Sequence, residues 1–358
     1  MRSALSYISA GIYFQLYSVP YRTLRPEDRN PRVEKRASIC GISGQDGAYL
    51  AKLLLEKGYE VWGTSRDAEM VSFENLEFLG IRDRVQLVSL NLRDIGGIIS
   101  LFRRVQPEEL YNLAAQSSVG LSFGQPHETF ESIALGGLNL LESVRLTGLP
   151  VRLYNAGSTE CFGETGLEHV DERAPFNPRS PYAVAKAAAH WMFSNYREAY
   201  GMFACTGMLS NHDSPLRPKR FVTRKIIRAV AEMARGNGAM LSLGNVDIER
   251  DWGWAPDYVD AIWRILQQET PEDFIIATGV SATLKEFVRT AYELIDEDWQ
   301  EHVTVDSSLL RPSEILHSRM NPAKAYSHLG WRAEHTMKEV VRAMFEEELH
   351  RLDEEGRK

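Results

Sequence analysis

Tyr182 and Lys186 stand four residues apart in Tyr182-Ala-Val-Ala-Lys186, so a helix carries both side chains on one face. An ammonium beside a phenol lowers the phenol's pKa, and the phenolate can then take a hydroxyl proton near neutral pH. Such pairs are common on surfaces, but Ser158 lies 24 residues upstream at the expected end of an apolar strand. A serine hydroxyl there can share a proton with a substrate oxygen. Glu160 follows in Ser158-Thr159-Glu160 and adds a carboxyl group to the same mouth. Alcohol oxidation needs only the hydroxyl, the phenol and the ammonium. A carboxyl group supplies the further acid or base needed to remove a carbon-bound proton and expel water.

A second group of residues could hold a dinucleotide. Gly41-Ile-Ser-Gly44-Gln45-Asp46-Gly47 follows one strand-like run and opens a helical one. Glycines at these positions permit a tight turn and close backbone approach to a pyrophosphate at a helix N-terminus. Arg66 ends the next strand and could pair with a 2′-phosphate, which favours NADP; the adjacent Asp67 could hold a ribose 2′-hydroxyl, which leaves NAD open. Asn91 and Leu92 close a third strand, where an amide can meet an adenine edge. Leu113, Ala114, Ala115 and Ser117 close a fourth with small residues that let a cofactor lie against the backbone.

The elements that must position these residues follow a repeating pattern. Apolar strand-like runs at Ser38–Ile42, Tyr59–Thr64, Val85–Leu90, Leu110–Leu113, Val151–Asn155 and Phe203–Leu209 alternate with helical patterns at Gln45–Lys57, Ile98–Val105, Thr129–Leu146 and Tyr182–Tyr200. Ser180-Pro181 provides the last of these helices with a start, Pro lying near its first position. Repeated βα units of this spacing predict an α/β fold with a parallel sheet covered on both faces. Beyond Asn211 the rhythm changes. Short strands at Met240–Leu243, Phe274–Ala277 and Val303–Val305 mix with helices at Phe221–Arg235, Asp257–Gln268, Leu284–Ile295 and Met337–Leu352, which reads as a smaller α/β lobe. The expected division is an extension over 1–37, a mainly dinucleotide-binding domain over 38–210 and a mainly substrate-binding lobe over 211–358.

Composition sets the outer bounds. The 358 residues are 44% hydrophobic and 25% charged, an ordinary globular balance, with a net charge of −8. Residues 1–36 carry seven basic and three acidic side chains, a net +4 that leaves −12 for the remainder. That acidity argues against a nucleic-acid binder, which shows a basic face and a high pI. The run Leu5–Pro20 is too short and interrupted to span a bilayer. It reads as part of a poorly ordered extension rather than a targeting signal. No membrane association is expected. Cys40, Cys161 and Cys205 are widely spaced and odd in number, which predicts reduced thiols in a cytoplasmic protein and no metal site.

From about Ser38 to the C-terminal helix, the chain resembles the GDP-mannose 4,6-dehydratases, extended members of the short-chain dehydrogenase/reductase superfamily. The resemblance rests on GISGQDGAYLAKLLLEKGYEVWG (41–63), NAGSTECFG (155–163), PRSPYAVAKAAAHW (178–191), NHDSPLRPKRFVTRKI (211–226) and RDWGWAPDYVDAIW (250–263). It implies a Rossmann-type doubly wound sheet. It also implies conversion of GDP-D-mannose to GDP-4-keto-6-deoxy-D-mannose and water, the first step toward GDP-6-deoxyhexoses such as GDP-fucose or GDP-rhamnose. Tyr182 then takes the C4 hydroxyl proton, Lys186 holds the nicotinamide ribose, and Glu160 removes the C5 proton and helps expel the C6 hydroxyl. Ser158 stands where the family usually has Thr; both offer a hydroxyl.

Further positions carry over from the same resemblance. Gly41, Gly44, Gln45, Asp46, Gly47, Leu113, Ala115, Ser117, His212 and Arg217 match cofactor-contacting positions. Ser122, Asn211, Val222, Lys225, Arg250, Arg311 and Glu314 lie in segments like the GDP-sugar pocket. The Arg217 region of the family reaches a neighbouring subunit's cofactor site, which implies a homodimer or homotetramer. Three departures bear on detail: Asp67 replaces a second arginine, Asn91 replaces a commonly acidic residue, and the 295–303 segment lacks a longer insertion. The other enzymatic readings are a GDP-4-keto-6-deoxymannose reductase and a nucleotide-sugar epimerase; Glu160 argues against both. A non-catalytic nucleotide sensor is the reading from another class, and the full catalytic set argues against it.

Overall fold

The computed structural model describes residues 35–355. The segment before Lys35, which holds most of the expected extension, lies outside the described residues. Among the described residues, twelve strands form: β1 (Arg36–Cys40), β2 (Glu60–Ser65), β3 (Gln86–Ser89), β4 (Glu109–Asn112), β5 (Arg152–Ser158), β6 (Ala204–Leu209), β7 (Asn211–Asp213), β8 (Leu241–Leu243), β9 (Glu249–Trp254), β10 (Phe274–Ile276), β11 (Ser281–Thr283) and β12 (Val303–Val305). Seven make one parallel sheet in the order β10-β6-β5-β4-β1-β2-β3. The chain winds outward from β1 in both directions, so the order reverses between β1 and β4. In such sheets the crevice at the carboxyl ends of the strands beside that reversal is where ligands bind.

Alternation along the strands explains burial on both faces. Ile39, Tyr111, Tyr154 and Cys205 share one core with the Gln45–Glu56 and Ala255–Gln267 helices. Their neighbours Cys40, Leu110, Leu153 and Ala204 join the opposite core with the Ile95–Val105 and Gly136–Thr147 helices. A third core is built by the Val222–Ala234, Leu284–Glu293 and Met337–Glu355 helices. Buried ion pairing reinforces it, since Arg224 meets Glu348 between two of these helices.

Several boundaries differ from expectation, each for a local reason. β1 begins at Arg36 and ends at Cys40, because Gly41 takes a left-handed φ of +85° that a strand cannot continue through. The helix expected over Thr129–Leu146 starts at Pro126 and passes through a π turn at Glu131–Leu135. The fully buried Phe274–Ile276 run does not stay in the smaller lobe. It pairs with β6 as the seventh strand of the main sheet, and the Ala255–Gln267 helix likewise packs on that sheet. Among the described residues, no helix is long and apolar enough to cross a membrane.

Candidate active site

The residues singled out by type and spacing gather where the carboxyl ends of the parallel strands meet. Gly41 follows β1, Arg66 follows β2, Asn91 lies just beyond β3, Leu113 follows β4, and Ser158 closes β5. The turn after β1 leaves no room for side chains. A Cβ at Gly47 would sit 2.4 Å from the Gly41 carbonyl oxygen, and one at Gly41 would sit 2.8 Å from Ala114 Cα. Gly44 caps the Gln45–Glu56 helix without any side-chain hydrogen bond, and its open side meets only the Gly41 oxygen, at 3.4 Å. The first N–H groups of that helix therefore remain available, which fits a dinucleotide pyrophosphate. Gly47→Ala is expected to cost about 1–3 kcal/mol of folding free energy through overpacking. A thermal melt, with dinucleotide binding measured in parallel, checks it.

Ser158 is nearly buried, and its Oγ accepts the Glu160 backbone N–H at 3.3 Å, holding the short 3₁₀ turn Thr159–Phe162. Ser180 caps the Pro181–Tyr200 helix by accepting the Ala183 N–H at 3.1 Å, and Tyr182 and Lys186 extend from its first turns. Lys186 Nζ donates to the Ala156 carbonyl oxygen at 2.6 Å and lies 5.7 Å from the Tyr182 ring centre. Burial lowers Lys186 to about 8, so the ammonium predominates at neutral pH by about tenfold. The expected lowering of Tyr182 is not what the structure holds. Burial raises its pKa well above the ordinary value, and the Ser158 hydroxyl offsets this only in part. The Lys186 ammonium, turned toward Ala156, is too poorly placed to overcome that burial.

Glu160 reaches toward a cation that comes from a distant strand. Arg250 of β9 places Nε 3.6 Å from Glu160 Oε1 and Nη2 3.4 Å from Glu314 Oε1. Its Nη1 donates to the Glu249 and Ile315 carbonyl oxygens, each at 2.9 Å. Arg311 Nη1 donates to the same Glu314 oxygen at 3.1 Å. Two guanidinium groups and two carboxylates thus stand together at the mouth. Burial pulls the Arg250 pKa below the ordinary arginine range, while Glu160 opposes the change.

The other predicted positions divide. Asn211 begins β7, and Val222 begins the Val222–Ala234 helix. Lys225 lines a basic hollow of about 300 Å³ with Lys219, Arg224 and Arg228. Arg217 pairs with Asp213 at 2.9 Å and lies over the Phe221 ring. Leu113 N–H donates to the Cys40 oxygen at 3.0 Å, tying the fourth loop to the first. Ala115 packs beside Tyr182, and Ser117 is exposed on that loop. Leu92 accepts from Asn139 Nδ2 at 2.7 Å, and the Asn91 side chain accepts the Arg93 N–H at 3.1 Å. Ser122 is fully buried, with its hydroxyl committed to the Val119 oxygen at 2.6 Å.

Arg66 projects into solvent and meets Glu128 at 3.0 Å, where Arg93 also pairs. Arg93 was not singled out by motif; its place two residues after Asn91 was the available signal. Asp251 was missed as well. It is fully buried and accepts from the Ser210 hydroxyl, the Tyr258 hydroxyl, the Thr278 hydroxyl and the Thr278 and Gly279 N–H groups. Among the described residues, no cluster of three or more His, Cys, Asp or Glu side chains could hold a metal.

Comparison with known proteins identifies the family of the chain. Residues 39–344 match the family described as GDP-mannose 4,6 dehydratase. GDP-mannose 4,6 dehydratase 1 of Arabidopsis thaliana is 42% identical over 338 residues, covering 92% of this chain and 93% of that protein. The GDP-mannose 4,6-dehydratase of Yersinia enterocolitica is also 42% identical, over 87% of this chain and 92% of its own length. Among solved structures, the Thermus thermophilus UDP-glucose 4-epimerase in complex with NAD superposes with a TM-score of 0.77 at 27% identity, covering 87% of this chain and 98% of that one. Identity at this level over nearly the whole folded body is more than a shared fold requires, and the chain belongs to the GDP-mannose 4,6-dehydratase family.

Proposed function

We infer that the protein is a GDP-mannose 4,6-dehydratase that converts GDP-D-mannose to GDP-4-keto-6-deoxy-D-mannose and water. The observation that carries this is Glu160 on the same strand end as Ser158, opposite Tyr182 and Lys186. A reductase or epimerase has no use for that carboxylate. When bound, a nicotinamide dinucleotide supplies the hydride acceptor for C4 and the donor for C6. Gly41, Gly44 and Gly47 would form its cradle, and Lys186, 5.7 Å from the Tyr182 ring centre, would hold its nicotinamide ribose.

The chain's own groups manage the protons. Ser158 and Tyr182 share a hydrogen bond that the C4 hydroxyl can join, and Tyr182 takes that proton as the C4 ketone forms. This requires the positive charge of a bound oxidised nicotinamide, with Lys186, to bring down the pKa that burial raises. The ketone acidifies C5–H, and Glu160 removes that proton and returns it to the departing C6 hydroxyl as water. As hydride reaches C6, C5 takes up a proton in turn, which balances the one Tyr182 took from the C4 hydroxyl and resets it. Arg250 Nε, 3.6 Å from Glu160 Oε1, holds that carboxylate in place. Arg250, Arg311 and the basic hollow around Lys225 supply charge for the GDP diphosphate, which fork-shaped guanidinium contacts suit.

Arg66 and Arg93, both drawn to Glu128, support NADP over NAD, because either can turn to a 2′-phosphate. The buried, unlinked cysteines support a reducing, cytoplasmic setting. Exposed Val184 and Trp191 on the Pro181–Tyr200 helix support self-association as a homodimer or homotetramer. Mass spectrometry of GDP-mannose incubated with the enzyme is expected to show loss of about 18 Da, the mass of water, without consumption of added cofactor. No loss in the presence of active controls rejects the dehydratase reading. Denaturing the purified protein is expected to release NADP, and release of NAD alone would reverse the reading of Arg66.

A further inference from the structure

His212 lies in β7 with both ring nitrogens committed to acceptors. Nδ1 is 2.7 Å from the Ser210 carbonyl oxygen and Nε2 is 2.9 Å from Asp46 Oδ2. A carbonyl and a carboxylate can only accept, so each nitrogen must carry a hydrogen, and the ring must be an imidazolium. The Tyr258 ring stacks on one face at 4.5 Å. Asp46 stands in the first turn of the Gln45–Glu56 helix, beside the uncapped N–H groups of the glycine turn. Its other oxygen accepts Gln45 Nε2 at 3.0 Å, and that same amide donates to the His212 carbonyl oxygen at 3.2 Å. A carboxylate in this place would repel a bound pyrophosphate unless something cancelled it.

We infer that His212 is a positioning residue, an imidazolium held charged by its two acceptors, that neutralises Asp46 and pins the dinucleotide-receiving helix to β7. This rests on a nicotinamide dinucleotide binding at the glycine turn. The charges around the pair agree. Burial alone would lower His212 and raise Asp46, but their mutual attraction reverses both, raising His212 and lowering Asp46 to about 2. Arg217 opposes the charge on His212 and favours that on Asp46. Lys186 and Asp46 also attract one another, and Asp251 and Tyr258 complete the surrounding titratable groups through Ser210. His212 serves Asp46 rather than the ligand.

The test combines nitrogen NMR with calorimetry. With ¹⁵N-labelled histidine in the full chain, the signal lost in His212→Asn is expected to show two N–H groups at pH 7.5; a single N–H overturns the inference. His212→Asn is expected to weaken NADP binding about tenfold or more. Asp46→Asn combined with His212→Asn is expected to restore most of that loss, because no charge then needs cancelling. A double variant no better than the single one would show a merely structural ring. If His212→Asn does not fold, His212→Gln serves in both arms. Normal NADP binding by the single variant overturns this inference alone. Absence of any dinucleotide binding by the unmodified protein overturns the cofactor reading and this inference with it.

Discussion

Glu160→Gln is expected to abolish water loss while leaving dinucleotide binding intact. The substitution keeps the shape of the side chain and an oxygen facing Arg250 Nε, 3.6 Å away in the native site. It removes the carboxylate proposed to take the C5 proton. General base catalysis of this kind contributes about 10²–10⁴-fold, so turnover should fall by that factor. Two readouts separate this from damage to the fold. In D₂O the native enzyme should place deuterium in the product sugar, and the variant should not. Thermal stability should change by no more than about 1 kcal/mol, since Glu314 still faces Arg250. Unchanged turnover in the variant would reassign the carboxylate to a structural task.

The placing of Ser158, Tyr182 and Lys186 in one cleft was legible because each belongs to a strongly patterned element. The Pro181–Tyr200 helix has a serine cap and a proline at its start, and β5 is a mostly buried strand with Leu153 and Tyr154 at its centre. The glycine turn was legible because only glycine tolerates its geometry at Gly41 and Gly47. What the sequence hid is held together by contacts far apart in the chain. β9 reads Glu249-Arg-Asp-Trp-Gly-Trp254, with no apolar alternation to mark a strand, yet Arg250 and Asp251 are buried in it. Their burial depends on Glu160, Glu314, Ser210 and Thr278, which no local pattern connects. Ordinary side-chain chemistry misjudged Tyr182 for the same reason. Its spacing to Lys186 predicts a lowered pKa, but the depth of the site and the turn of Lys186 toward Ala156 decide otherwise. The β10 run was legible as a strand but not as the neighbour of β6, because three residues carry no register information.

Arg250→Met should damage both folding and chemistry, and the comparison with Arg311→Met separates the two roles. Arg250 is 3% exposed and satisfies two backbone oxygens and two carboxylates at once. Methionine fills the volume of the stem but takes the donor from the Ile315 carbonyl oxygen and the cation from Glu160, whereas the Glu249 oxygen keeps the Ser318 N–H and Glu314 keeps Arg311. Breaking a buried pair in this way costs about 3–5 kcal/mol, which lowers the melting temperature in a thermal scan. Losing a charge that faces both Glu160 and the incoming diphosphate should reduce kcat/KM by about 10²–10³, with kcat falling as well as KM rising. Arg311 touches only Glu314 and is about a third exposed. Its replacement by methionine should therefore raise KM for GDP-mannose with kcat nearly unchanged and little loss of stability. The distinction lies in what each guanidinium holds. On the proposed reading, Arg250 fixes the base for the elimination through its contact with Glu160, whereas Arg311 contacts Glu314 and would face only the diphosphate. A rise in KM alone for both variants would place Arg250 with the phosphates and leave Glu160 positioned by its own 3₁₀ turn.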